Sequence, residues 1–141
     1  MEEKMTARQY LGQAYRLDQR INSKLMQLAL LRGNAMNLTA NLKEISIQTS
    51  PDNARMESTL LKIIDQEREI DEEIDRLVDL KVEIKKIIDR VENIECRLIL
   101  ELRYLCFRSW EEIAVEMDYS IDNVFRIHRK ALEILTIPSM Q

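Results

Sequence analysis

The residues best suited to specific chemistry lie in a short basic stretch between residues 120 and 132. Three basic side chains, Arg126, Arg129 and Lys130, accompany one acidic side chain there, Asp122. A guanidinium group can donate two hydrogen bonds to O6 and N7 of guanine, and a carboxylate can accept one from the amino group of cytosine. This stretch therefore predicts contacts with the base edges of double-stranded DNA.

Other side chains nearby complete a predicted DNA-binding set. Ile121 or Phe125 can press on a thymine methyl group, and Lys130 and Arg108 are better placed for phosphates. The full set is Ser120, Ile121, Asp122, Phe125, Arg126, Arg129, Lys130 and Arg108. Two other interpretations stay open. Arg126, Arg129 and Lys130 could form an ordinary solvated helix face, and Phe125 could belong to the core or to a surface that binds a protein partner. His128 is expected to be partly buried or to face a phosphate.

Two short helices must position these side chains. Ser109-Trp110-Glu111-Glu112 is a capping box that starts the first helix, and Met117-Asp118-Tyr119 interrupts it. Ser120 caps the second helix, which we expect to cover residues 121–135 and to enter the major groove by its N-terminal half. Trp110 is expected to pack over a preceding helix and anchor the first short helix.

The spacing fits a helix-turn-helix motif. If Ala114 marks the close crossing of the two short helices, five nearby positions must be apolar, and all five are: Ile113, Met117, Tyr119, Val124 and Ile127. Asp118 occupies the turn position that usually holds glycine, at a cost on the order of 1 kcal/mol for a positive φ angle. With a helix over residues 94–105, the layout is trihelical.

The N-terminal part predicts a long first helix. Thr6-Ala7-Arg8-Gln9 is a capping box. Apolar residues then recur every three or four positions, at Tyr10, Ala14, Leu17, Ile21, Leu25, Leu28 and Leu31. We expect this helix to run to about Arg32 or somewhat beyond Gly33. Residues 34–50, rich in Asn, Thr and Ser, are expected to form a connecting loop, with Leu42, Ile45 and Ile47 packed against the helices.

A second long helix carries a heptad repeat from Leu60 to Val91. Its apolar positions predict a surface that pairs subunits, made of Leu60, Ile63, Ile70, Ile74, Leu77, Ile84 and Ile88. Glu67 and Lys81 interrupt the repeat. They are expected either to meet complementary partners on another helix or to lie in a solvated part of the seam.

The predicted fold is therefore all-α. Only 2 Gly and 2 Pro occur, and 33% of the residues are charged, as in long amphipathic helices. Residues 1–92 are expected to form an antiparallel helical hairpin, a coiled coil that drives oligomerisation. Residues 93–141 are expected to form the helix-turn-helix domain.

Charge is unevenly distributed along the chain. The net charge of −4 divides into +3 for residues 1–50, −5 for residues 51–93 and −2 for residues 94–141. The acidity is thus concentrated in the second long helix. Net charge bears on solubility and steering, and it does not fix what one face contacts.

Several classes of function are disfavoured. There is no Gly-rich phosphate loop and no nucleophile-base pair around the single His, so an enzyme is not expected. Cys96 and Cys106 lie about 15 Å apart along one helix and are expected to be reduced. A metal site has no ligand set, and no cofactor is predicted. Without a membrane-spanning segment or a signal peptide, the expected location is the cytoplasm.

The C-terminal third resembles the fourth conserved region of bacterial sigma factors. The resemblance rests on Leu102-Arg103-Tyr104-Leu105, on Ser109-Trp110-Glu111-Glu112-Ile113-Ala114, and on Ser120 followed by Val124 and Arg129. The whole chain resembles short sigma-like regulators of phages and mobile elements in Gram-positive bacteria, through residues 13–18 and 75–81 of the hairpin. The resemblance implies promoter binding and transcriptional control, with RNA polymerase as a candidate partner.

Three functions follow from these patterns. The first is a sequence-specific DNA-binding regulator, an activator of phage or mobile-element genes. The second is a DNA-packaging adaptor like a small terminase subunit, which also joins a DNA-binding trihelix to oligomerising helices. The third is a coiled-coil interaction factor that acts on polymerase or a repressor without binding DNA. Salt-dependent DNA affinity separates the first two from the third, and ring formation separates the second from the first.

Overall fold

The computed structural model describes the backbone of residues 5–44 and 51–138, and the side chains of residues 5–38 and 53–138. Within these ranges the chain is all-helical. The elements are α1 (Ala7–Glu44), α2 (Pro51–Asp89), α3 (Ile94–Leu100), a π-helical turn (Glu101–Leu105), α4 (Trp110–Met117) and α5 (Ile121–Ile134). No helix of the described residues is long and apolar enough to cross a membrane.

The start of α1 is the predicted capping box. The backbone N–H of Thr6 donates to Oε1 of Gln9 at 3.0 Å, and the N–H of Gln9 donates to Oγ1 of Thr6 at 3.1 Å. These two bonds satisfy backbone donors that the first turn of a helix leaves without partners. The prediction for this helix start is confirmed.

The helix α1 passes Gly33, as one of the two predicted ends allowed, but the predicted loop over residues 34–50 was wrong for its first part. The helix continues through Gly33 to Glu44, so the connection to α2 is much shorter than the expected loop of residues 34–50. The reason lies in a seven-residue repeat of buried side chains, Ala14, Ile21, Leu28 and Ala35, which carries the packed side past the glycine. Leu25, expected in the same stripe, is exposed. Ile45, Ile47 and the side chain of Leu42 lie outside the described residues.

The described chain divides into two compact units. The first unit combines the chain up to Leu17 with the chain from Leu77 onwards, and the second covers Asp18–Arg76. The predicted division after residue 92 therefore falls inside the first unit. The single core of that unit explains why, since it joins Tyr10, Leu11 and Ala14 of α1 to residues of α2, α3 and α5.

In the second unit, α1 and α2 are joined by ion pairs. The ammonium of Lys24 lies 2.6 Å from Glu73 and 2.7 Å from Glu69, and Arg32 lies 2.6 Å from Glu67. The partner numbers on α2 fall as those on α1 rise. Glu67 thus meets a complementary partner on another helix of the same chain.

Glu73 is the buried member of this network. Its side chain also lies 3.4 Å from Arg20, and the hydrogen bond from Lys24 lowers its pKa despite its burial. The pKa of Lys24 is raised by its hydrogen bonds to Glu69 and Glu73. The acidic residues of α2 therefore do more than keep its surface solvated, because they fix how α1 pairs with it.

The elements of the first unit that follow α2 are short. The side chain of Asn93 caps α3 by accepting a hydrogen bond from the N–H of Cys96 at 3.0 Å. The expected single helix over residues 94–105 instead changes to π-helical geometry at Glu101, and it ends before Cys106. Cys96 is buried, Cys106 is exposed, and both are free thiols.

Candidate functional site

The site is built around α4, α5 and the turn between them. The Oγ of Ser109 accepts from the N–H of Glu112 at 3.2 Å, and the Glu112 carboxylate accepts from the N–H of Ser109 at 3.4 Å. The bond from the Ser109 N–H to the carboxylate is the largest cause that lowers the pKa of Glu112. The second cap, Ser120, accepts from the N–H of Asn123 at 3.2 Å. Both predicted helix starts are confirmed.

The turn adopts the backbone that the sequence predicts. Asp118 ends α4 in the left-handed region, with φ 57° and ψ 45°. The next N–H, that of Tyr119, donates to the carbonyl of Ala114 at 3.0 Å, which is the bond pattern of a left-handed helix end. An α-helix therefore stops at Met117, and α5 starts four residues later in a new direction.

The two sides of α5 differ sharply. Its buried side is made of Val124, Ile127, His128, Ala131 and the following Leu135. The predicted DNA-binding residues of this helix and its cap are all exposed: Ser120, Ile121, Asp122, Phe125, Arg126, Arg129 and Lys130. The structure thus gathers seven of the eight predicted residues on one short, solvent-facing segment.

Arg126 is held in place by a neighbour that the sequence did not single out. Its Nε and Nη2 atoms donate to Oδ1 of Asn123 at 3.1 and 2.6 Å. The Nη1 group and the remaining Nη2 hydrogen stay available for another acceptor. Asn123 therefore orients the guanidinium of Arg126 and leaves some of the guanidinium donors unused.

The eighth predicted residue, Arg108, lies elsewhere. Its guanidinium is 3.2 Å from Glu112 and 3.6 Å from Glu116, both on α4. Those carboxylates, together with Glu111, surround Val115, which is 81% exposed. The structure therefore places Arg108 beside an acidic face of α4, so a phosphate would compete with two carboxylates for it.

An aromatic cluster anchors the exposed segment to the core. The Trp110 ring centre lies 4.6 Å from that of His128 and 5.3 Å from that of Phe125, both in edge-to-face contacts. Tyr104 and His128 are hydrogen-bonded at 2.7 Å. Phe125 remains 37% exposed, so it both packs and faces solvent. Trp110, expected to pack over the preceding helix, instead makes its ring contacts with α5, and the guanidinium carbon of Arg103 lies 4.3 Å from its ring centre.

Burial lowers the pKa of His128 to about 4, with further lowering from the positive charges of Arg8 and Arg103. The imidazole is therefore neutral at physiological pH. Desolvation likewise raises the pKa of Tyr104. His128 serves the packing of α5, since it lies on the buried side of the helix, away from the exposed residues.

A second feature of the first unit, missed by sequence reasoning, is a cleft of about 500 Å³ that we call the arginine cleft. Three arginines contribute to its lining: Arg8 and Arg16 of α1 and Arg103 of the π-helical turn. The rest of the lining is Gln9, Gly12, Tyr15, Tyr104, Phe107, Ser109, Trp110 and Glu112. Arg103 follows Arg16 by more than 80 residues in the sequence, so no local pattern connects it with the two arginines of α1.

The predicted oligomerisation residues do not form one exposed surface. Ile63, Ile70, Ile84 and Ile88 are buried within the single chain, and Leu77 packs against the core of the first unit. The reason is that this side of α2 already packs within the chain. Leu60 and Ile74 are exposed, as are Leu61 and Ile64. The exposed apolar residues of α2 therefore coincide only in part with the predicted heptad seam.

Comparison with known proteins gives one match. The family model described as a protein of unknown function, DUF1492, matches residues 52–136, which run from the start of α2 to just beyond α5. The match covers more than half of the chain and leaves out α1. No curated protein and no solved structure matches the chain significantly.

Proposed function

The chain belongs to the DUF1492 family, and from this premise we propose that it is a sequence-specific DNA-binding protein that regulates transcription of phage or mobile-element genes. The phage context and the regulatory role rest on the resemblance to sigma-like regulators. The DNA-binding role rests on the geometry of α4 and α5.

The observation that carries the proposal is the exposed segment of α5. In this proposal α4 and α5 are a helix-turn-helix, and α3 with its π-helical turn is the third helix. The first residues of α5 would enter the major groove, because its buried side is fixed by Val124, Ile127 and Ala131. The outward side then offers two arginines and one carboxylate to the base edges.

Each exposed side chain has a defined role in this proposal. Arg126, oriented by Asn123, donates to O6 and N7 of a guanine, and Arg129 does the same one turn of the helix later. Asp122 accepts from a cytosine amino group. Ile121 and Phe125 contact thymine methyl groups, and Lys130 contacts a phosphate.

The long helices provide a pairing device in this proposal. In this proposal α1 and α2 form an antiparallel hairpin, and the order of their ion pairs within Asp18–Arg76 supports it. The same unit exposes apolar side chains on both helices: Leu25, Met26, Leu30, Met36, Leu60, Leu61, Ile64 and Ile74. A second copy would cover such a surface. The resulting dimer would place two helix-turn-helix motifs on the two half-sites of a symmetric DNA site.

The deciding experiment is the binding of the full chain to DNA selected from a random duplex pool. We expect selection of a defined sequence, and a log–log decline of affinity with salt whose slope reflects the number of phosphates contacted. Fluorescence anisotropy on the selected duplex and on a scrambled one measures the preference for the selected sequence and the salt dependence of affinity. Equal affinities for the two duplexes that do not change with salt concentration would refute the proposal.

One observation favours a second candidate, a protein-interaction factor that acts on polymerase or a repressor. Val115 is 81% exposed among Glu111, Glu112 and Glu116, and this acidic, partly apolar face would suit a basic protein surface better than DNA. The two functions separate on one variant, Val115→Lys, which replaces the apolar side chain with a positive charge. It does not weaken DNA binding under the first proposal, and it weakens polymerase binding under the second because it repels a basic surface.

A further inference from the structure

The arginine cleft has a net positive charge that the described residues leave largely unneutralised. Arg8 and Arg16 form no ion pair within residues 5–38 and 53–138. One carboxylate, that of Glu112, contributes to the lining, and it is already bonded to Ser109 and to Arg108. Three guanidinium groups around one small cleft favour an anionic ligand.

The aromatic residues of the arginine cleft are already engaged. The guanidinium carbon of Arg103 lies 4.3 Å from the centre of the Trp110 ring. The ring of Phe107 is contacted edge-on by Tyr15 at 5.5 Å, and Nζ of Lys81 lies 4.4 Å from its centre. These contacts disfavour stacking of a ligand ring. The cleft therefore suits an anion recognised by charge, and a phosphate group is the simplest such ligand.

The cleft adjoins the exposed segment of α5. Trp110 lines the cleft, and the same ring lies 5.3 Å from Phe125, a residue proposed to contact bases. A duplex whose major groove holds α5 also presents backbone phosphates beside the groove, and side chains next to a recognition helix commonly contact them. Trp110 therefore links the arginine cleft to the exposed segment of α5.

We propose that the arginine cleft binds a backbone phosphate of the DNA whose major groove α5 reads, with Arg8 and Arg16 as the donors. This inference rests on the proposed function and extends it, because it assigns part of DNA affinity to α1, outside the helix-turn-helix. Arg103 shapes the cleft, since it donates to the carbonyl of Arg108 at 3.0 Å and packs on Trp110.

The test is the variant Arg8→Gln/Arg16→Gln in the full chain. Both side chains are exposed, so we expect the variant to fold like the wild type. Thermal unfolding followed by circular dichroism tests this expectation. On the selected duplex we expect the slope of log affinity against log salt to become shallower by about 1, since loss of the one phosphate contact removes about 0.9. Affinity at low salt should fall at least tenfold, while the ranking of duplex sequences stays unchanged.

The matched control is Arg55→Gln/Arg68→Gln, which removes the same charge from exposed positions of α2 in the other unit. A cleft variant that behaves like this control overturns the inference while leaving the proposed function standing. A wild-type chain without salt-dependent DNA binding instead overturns the proposed function, and the inference falls with it.

A second arm separates a DNA phosphate from a free one. Trp110 is the single Trp of the chain and lines the cleft, so its fluorescence reports occupancy. Inorganic phosphate should change the emission only weakly at millimolar concentration, and the selected duplex should change it strongly. Tight saturation by inorganic phosphate, together with an unchanged salt slope in the cleft variant, would identify a free-anion site and overturn the inference.

Discussion

The hydroxyl oxygen of Tyr104 lies 2.7 Å from Nε2 of His128, and both side chains are buried. This hydrogen bond joins the π-helical turn to α5 across 24 residues of sequence. Because α5 carries the proposed base contacts on its opposite side, the pair fixes the rotation of that helix about its axis. A polar pair in a core is stabilising only while both partners keep their bond.

The neutral state of His128 predicts a pH dependence of stability. Its pKa is about 4 in the folded chain and about 6.5 when unfolded. The unfolded chain therefore binds the extra proton first, so stability is fully present above the unfolded pKa and is lost as pH falls between these values. From pH 7.5 to pH 5 we expect the free energy of unfolding to fall by about 2 kcal/mol. Urea unfolding at both pH values measures it.

The control for this prediction is His128→Phe, which keeps an aromatic ring but cannot bind a proton. Its stability should vary much less over the same pH interval, even if it is lower at pH 7.5. An equal pH dependence in the variant and the wild type would assign the effect to other groups, such as the carboxylates of α2.

Loss of a base-reading arginine should change specificity as well as affinity. We predict that Arg126→Ala costs about 1 to 3 kcal/mol of DNA-binding free energy and relaxes the preference at one base pair, and that Arg129→Ala does so at another. Asn123→Ala should cost less than Arg126→Ala, because Asn123 only orients the guanidinium. Footprinting and selection with each variant measure the preference. Arg68→Ala is the control, and footprints unchanged in both arginine variants would contradict the assigned reading face.

Asp118 provides a test of the turn itself. Its φ of 57° disfavours most side chains, so Asp118→Gly should be more stable than Asp118→Ala by on the order of 1 kcal/mol. At the exposed Val115 inside α4, the order should reverse, with Ala more stable than Gly by a similar amount. Thermal unfolding of the four variants shows both differences. The same order at the two positions would be inconsistent with a helix end at residue 118.

Self-association should depend on the exposed apolar residues of α2. We predict that the wild type is a dimer or a higher symmetric oligomer, and that Leu60→Lys/Ile64→Lys shifts it towards monomer with its helix content preserved. Sedimentation equilibrium measures the mass. The control, Ala54→Lys/Ser58→Lys, adds the same charge on a different side of the helix and should not dissociate it. A monomeric wild type would contradict this prediction, and a ring would favour the packaging-adaptor function.

Local features were the most predictable from sequence. The capping boxes at Thr6 and Ser109, the cap at Ser120 and the left-handed Asp118 each depend on residues within four positions of one another. The buried side of α5 followed from apolar periodicity, which the helix repeats every three to four residues. Such signals need no knowledge of the rest of the fold.

Features set by distant residues were not predictable. Gly33 and the polar residues after it favoured a loop, but packing at Ala35 extends α1. The bond from Tyr104 to His128 and the arginine cleft each join segments with no shared local pattern. Phe107 has φ 58°, which its residue type does not suggest, and its ring packs against Tyr15. Tertiary contacts overrode local preference at each of these places.

The core shared by Tyr10, Leu11, Ala14 and α5 has a consequence for biosynthesis. These first-helix residues leave the ribosome long before Val124, Ile127 and Ala131, so the core that they share stays incomplete until α5 has been made. Contacts between such distant segments also slow folding. The core should therefore be completed only when α5 forms. A chain truncated before α5 would keep apolar surface exposed, and chaperones and proteases would recognise it as unfolded.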